Sequence, residues 1–177
     1  MSNHPLHRLV PYGLGLGLLI VTAHLGWEMT HGGVVTHHLL ARSDLPGISN
    51  WWGLLVLPLL GWLSSRVVTA RARTVEDAAR TAGLAFIGSL LMGVAMAMPF
   101  AMGYDSVTPW VFLAALAAGL VVPTYRPEYA FGFVSGMVFV FGPVIPLIAV
   151  SIAASISAGA HYLVRPALVS IWGRVRG

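Results

Sequence analysis

The feature that most constrains this chain is the near absence of charge along its apolar stretches. Between Leu9 and Thr30 the only acid or arginine is Glu28, and the segments Asn50–Ser65 and Pro109–Val122 carry none. A helix needs about 20 apolar residues to cross the hydrocarbon of a bilayer. Inside hydrocarbon every backbone amide must be bonded within the protein, which leaves helices and closed barrels as the spanning structures. Composition agrees: 57% of the 177 residues are hydrophobic and 9% are charged, against about 25% charged in soluble domains. A soluble chain of this length has no core large enough for so much apolar surface. The expectation is an all-α, polytopic membrane bundle in a single domain, residues 1–177, with the lipid bilayer as its first partner.

Six apolar segments can be drawn. The first runs from Leu9 to Thr30, with Pro11 where a first-turn proline is tolerated. The second, Asn50 to Ser65, contains Pro58 and is short for a span. The third begins after Thr74, with Thr74 and Asp77 spaced as a capping pair, and reaches Met102 past a kink at Pro99. The fourth is Pro109–Val122. The remainder, Glu128 to Trp172, is too long for one crossing and is divided at Pro143 and Pro146. Arginine flanks the cytoplasmic ends of spans. Arg66, Arg71, Arg73 and Arg80 follow the second segment or open the third, Arg126 follows the fourth, and Arg165, Arg174 and Arg176 lie at the C-terminal end, whereas the alternate loops hold only Arg42. This pattern predicts about six spans in an inner membrane, both termini cytoplasmic and the loop from His31 to Ser49 facing outward. Arg8 and the apolar run before Ala23 also mimic a secretion signal, and are read as the start of the first span.

Several classes of function are excluded. No lysine is present, so there is neither a Schiff-base site nor a P-loop. No cysteine is present, which removes disulfides, thiolate metal sites, cysteine nucleophiles and covalent haem. The pI near 10.1 comes from arginines beside apolar segments, so nucleic acid is not an expected partner. Gly13, Gly15 and Gly17 follow no strand and have the wrong spacing for a dinucleotide fingerprint; they point to close helix packing.

One stretch is unlike the rest. His24, Glu28, His31, His37 and His38 fall within residues 24–38, with Arg42, Asp44, Asn50, Trp51 and Trp52 soon after. Ionisable groups inside a span are costly and mark function by default. On a helix His24, Glu28 and His31 share one face. At about 1.5 Å rise per residue, His24 and His31 are about 10 Å apart, too far to share one ion. His24 with Glu28, or Glu28 with His31, can chelate one, and Glu28 can bridge two. Gly32–Gly33 ends the helix and lets His37 or His38 fold back towards His31, which makes Glu28, His31, His37 and His38 the favoured ligand set. Asp44 is positioned as an oxygen ligand or as the group that orients an imidazole. Imidazole and carboxylate ligands suit a transition metal ion such as zinc, copper or iron. The competing reading is a purely structural polar network.

Met92, Met96, Met98 and Met102 form two M-x-x-x-M pairs. Thioethers bind copper(I), and the pair resembles that of eukaryotic copper transporters at this one motif; methionine is also a common filler of helices. Ser157 and His161 are similar to the S-x-x-x-H motif of membrane hydrolases related to ceramidases, again at that motif alone, and His161 is equally a packed residue or a haem ligand. The histidine boxes of membrane desaturases are absent. Trp51, Trp52 and Trp110 suit an outer aromatic belt; His4 and His7 are expected in the solvated tail. Three functions fit. The first is a metal-handling or metal-cofactor membrane protein. The second is a metal-dependent intramembrane enzyme on an apolar substrate, a hydrolase or oxidoreductase with Glu28 or Asp44 as general base. The third is a non-catalytic subunit of a membrane complex.

Overall fold

The computed structural model describes residues 9–38, 42, 44–104 and 106–176, with side chains up to Trp172; the expectations for His4 and His7 concern residues outside this set. Among the described residues the fold is all-α apart from one small hairpin. Helix α1 (Leu9–Thr30) leads into strands β1 (Thr36–His38) and β2 (Gly47–Ser49). A short 3-10 turn, Asn50–Trp52, opens α2 (Gly53–Arg71). Then follow α3 (Ala78–Ala101), α4 (Thr108–Val121), α5 (Pro127–Phe141) and α6 (Val144–Gly159), which continues through a π turn into α7 (Arg165–Arg176). Among the described residues four stretches are long and apolar enough to cross a membrane: Leu9–Thr30, Asn50–Arg71, Ala78–Ala101 and Val144–Trp172.

The boundaries differ from the sequence reading in three places. The second segment does not stop at Ser65: Arg66 and Arg71 lie inside α2, because arginine is a good helix former whose long side chain reaches the polar boundary. The short elements are instead α4 and α5, of 14 and 15 residues. The Thr74–Asp77 capping pair does not form either. Thr74 Oγ1 donates back to the Arg71 carbonyl at 3.2 Å, and Asp77 takes a left-handed conformation at φ 62° and caps α3 without its side chain. The third difference is the hairpin, whose antiparallel register pairs Thr36 with Ser49, His37 with Ile48 and His38 with Gly47.

Close approaches at glycine set the helix packing. A Cβ on Gly13 would strike the carbonyl of Gly61, and one on Gly17 the carbonyl of Leu57. Val21, four residues further, meets Gly53, so α1 and α2 are antiparallel. Gly15 meets nothing, since a residue two positions away points to another face. In α5, Gly132 lies on Phe86 and Gly136 on Leu90, so α3 and α5 run parallel. Where lipid competes equally for apolar side chains, such backbone approach is what holds helices together. Helix α5 is the hub: Phe131, Phe133, Val134, Met137 and Val138 are all buried. The outer surface is apolar, with Leu19 66% and Trp110 72% exposed, as a bilayer-facing surface requires.

Candidate polar site beneath the hairpin

The last two turns of α1 carry the site. His24 and Glu28, one turn apart, point into the bundle and are 0% and 3% exposed. The Glu28 carbonyl accepts from the amides of His31 at 3.0 Å and Gly33 at 2.9 Å, which closes the helix. Gly32 and Gly33 then take positive φ of 117° and 101°, conformations disfavoured for other residues. The chain folds back over the helix end, where the Val35 amide donates to Glu28 Oε2 at 3.4 Å. Val35 in turn accepts from the Asn50 amide at 3.0 Å.

Asn50 is the residue that sequence reasoning undervalued. It is 2% exposed, and its Nδ2 donates to Glu28 Oε1 at 2.5 Å. Its Oδ1 presses on Gly142, where any Cβ would collide. Gly142 has φ 66° and forms the break between α5 and α6. The amide therefore joins α1, α2 and the α5–α6 corner. The signal in the sequence was a lone amide side chain at the threshold of an apolar run, before Trp51–Trp52.

His24 is packed edge-on against Phe139, ring centroids 5.3 Å apart. Its Nε2 is 3.4 Å from Glu28 Oε1, within ion-pair reach, yet among the described residues neither ring nitrogen has a hydrogen-bond partner. A fully buried imidazole with both nitrogens unpartnered is unusual. His37, at the centre of β1, is half-buried; burial pushes its pKa below the ordinary histidine value, while the attraction of Glu28 works in the opposite sense.

The other proposed ligands are turned elsewhere. His31 is exposed, stacks on Trp27 at 4.7 Å, and its Nδ1 lies 2.8 Å from the Trp27 carbonyl. His38 is exposed, with Nδ1 2.8 Å from the Leu45 carbonyl. Asp44 accepts two hydrogen bonds from Arg42, at 3.0 and 2.7 Å, and this pairing holds its carboxyl below the usual carboxylate range. Among the described residues no three histidine, aspartate or glutamate side chains are grouped to hold a metal ion; the close pair is His24 with Glu28.

Two further expectations can be placed. Met96 is buried in the core with Met92 packed against it, whereas Met98 and Met102 are 56% and 64% exposed, so the two pairs do not share an environment. His161 sits in the π turn, its Nδ1 2.9 Å from the Ser157 carbonyl and Nε2 3.2 Å from the Val121 carbonyl. Ser157 Oγ donates to the Gly119 carbonyl at 2.7 Å, so both polar ends of the S-x-x-x-H pair are engaged by backbone. No protein family, curated protein or solved structure matches the chain.

Proposed function

We propose that the chain is a multi-pass inner-membrane protein of six spans, with both termini cytoplasmic, and that its outward end holds a transition metal ion, zinc, copper or iron. His24 and Glu28 supply two of its ligands. The observation that carries this reading is the unpartnered imidazole of His24 beside a buried carboxylate. Two ligand atoms of one tetrahedral ion, with bonds of about 2.0–2.1 Å, sit about 3.3–3.4 Å apart. His24 Nε2 and Glu28 Oε1 are 3.4 Å apart and poorly aligned for a hydrogen bond, so the donor pair fits an ion. A bound ion supplies Lewis acidity or a site of storage and transfer; the chain's contribution is to exclude water and hold the two donors rigidly. The reading narrows the ligand set: His31, His38 and Asp44 satisfy themselves elsewhere.

Metal analysis of the purified protein, as isolated and after incubation with each ion in turn, is the test. About one ion per chain is expected, lost in His24→Ala and in Glu28→Gln while both variants still fold. Wild-type protein that retains none of the three ions would sink the metal reading. The topology is tested by cysteines introduced into the cysteine-free chain: positions beside Arg71 and Arg126 should label from the cytoplasmic side and Thr36 from the outer side.

The bonds of Asn50 and Val35 to Glu28 favour a second reading. In it, Glu28 is a structural lock joining α1, the hairpin and α2, and the protein is a non-catalytic subunit of a membrane complex. Glu28→Gln then lowers thermal stability without changing bound metal.

A further inference from the structure

At the end of the bundle opposite the hairpin, a hollow of about 270 Å³ lies between α1, α2 and α3 with the start of α5 as its floor. Tyr12 and Leu16 form one wall, Ala82 and Gly83 the other, and Ser64 and Glu128 the base. Its side is open between α1 and α3: Tyr12 is 69% exposed, and a Cβ on Gly83 would meet nothing within 4 Å. The rest of the lining is mostly apolar, the further hydroxyls being those of Tyr12 and of Ser65, which donates to the Gly61 carbonyl. The base is not. Glu128 has a side chain 4% exposed and Ser64 is 6% exposed, yet among the described residues Glu128 Oε2 and Ser64 Oγ have no hydrogen-bond partner. Glu128 Oε1 is already engaged by Arg71 Nη2 at 2.7 Å.

We infer that this hollow binds a single-chain amphiphile with a hydroxyl head, its hydrocarbon lying along α1 and α3 and its hydroxyl donating to Glu128 Oε2. The head-group chemistry follows from the base. An anionic head would face the carboxylate of Glu128. A cationic head would add a charge to an ion pair that Arg71 already balances, in a place where charge is poorly solvated. A hydroxyl is neutral and carries both a donor and acceptor lone pairs, so it can donate to Glu128 and accept from Ser64. A buried donor or acceptor left unmade is expensive, and a hydroxyl at the polar boundary satisfies two such atoms while its chain stays in hydrocarbon. The depth is suitable, because Glu128 lies in the first turn of α5, where the arginine-bearing loops meet the apolar segments.

The test uses the full chain in lipid nanodiscs and a long-chain primary alcohol with a diazirine in mid-chain. Two matched probes carry a methyl ether or a carboxylate in place of the hydroxyl. Mass spectrometry of photolabelled peptides should place the alcohol on α1 and α3 around Tyr12 and Gly83. The ether accepts but cannot donate, so its yield should fall about tenfold or more, the loss expected for a hydrogen bond to a charged acceptor; the carboxylate should label no better than the ether. Gly83→Leu, whose Cβ meets nothing within 4 Å, should fill the open side and abolish labelling while thermal unfolding is unchanged. Ser64→Ala should weaken it. Equal labelling by alcohol and ether would overturn the inference and leave a bound water as the partner of Glu128. Undiminished labelling of Gly83→Leu would equally overturn it.

Discussion

Two glutamates are buried in this bundle, one near each end, and they are kept in different ways. Glu128 faces a full cation, with Arg71 Nη2 2.7 Å away, and it sits in the first turn of α5, where the helix dipole favours an anion. Among the described residues Glu28 has no arginine partner. It has the amide of Asn50, the backbone amide of Val35 and the imidazole of His24. A buried charge with a permanent counter-charge has that charge balanced by the pairing, although Glu128 Oε2 still lacks a donor among the described residues. One held by neutral donors, beside an imidazole whose nitrogens are unpartnered, is not so balanced. The contrast is why the site is placed under the hairpin rather than at the arginine-rich end, where the ion pair also ties α2 to α5.

The largest effect should come from breaking the ion pair. Arg71→Ala leaves Glu128 buried with no cation, and removing one partner of a buried pair costs about 3–5 kcal/mol. Equilibrium unfolding in mixed micelles would measure it. An intermediate effect is expected from Asn50→Leu, which removes the donor to Glu28 but no charge, at about 1–3 kcal/mol. If Asn50→Leu proved as costly as Arg71→Ala, the two carboxylates would be held alike and the distinction would fail.

Much of this contrast could not have been read from the letters. The apolar segments were legible because hydrocarbon forbids charge over a span's length, α1 ends just before Gly32–Gly33, and α5 ends just before Pro143, whereas Pro146, the other expected divider, lies inside α6. Face periodicity correctly put His24 and Glu28 together. It failed for His31 because α1 ends at Thr30; beyond the last turn the helical angle no longer determines where a side chain points, and His31 turns back onto Trp27. The hairpin was missed because three-residue strands are too short to show alternation. The Arg71–Glu128 pair spans 57 positions, and no local pattern links residues that far apart. Asn50 was visible as a polar outlier, but its partner 22 residues away was not.

A smaller change in stability, and a larger one in chemistry, should follow His24→Leu. Leucine removes two buried nitrogens that lack hydrogen-bond partners, which is favourable, and forfeits both the edge contact with Phe139, worth about 0.5–1.5 kcal/mol, and the approach of Nε2 to Glu28 at 3.4 Å. The gain and the losses oppose, so the unfolding midpoint of metal-free protein should shift little. Metal retention should nevertheless vanish. A large destabilisation in chelator-treated His24→Leu would mean that the imidazole bonds to the protein and would return the site to the structural reading.

The smallest effect is expected at Asp44, which separates surface pairing from the buried site most sharply. The carboxylate and Arg42 are 61% and 63% exposed, and ion pairs in water contribute little because solvent screens both charges. Asp44→Asn should therefore leave the unfolding midpoint at pH 7 and the bound metal unchanged. The pH dependence has a definite sign. Arg42 lowers the Asp44 pKa below its ordinary value near 3.8 in the folded protein. The pair's small contribution is therefore present above that value and is lost as the pH falls through the folded pKa. The difference between wild type and Asp44→Asn, slight at neutral pH, should shrink further in acid. Loss of metal in Asp44→Asn at pH 7 would instead place this carboxylate in the site, requiring the loop to release Arg42 and fold inward.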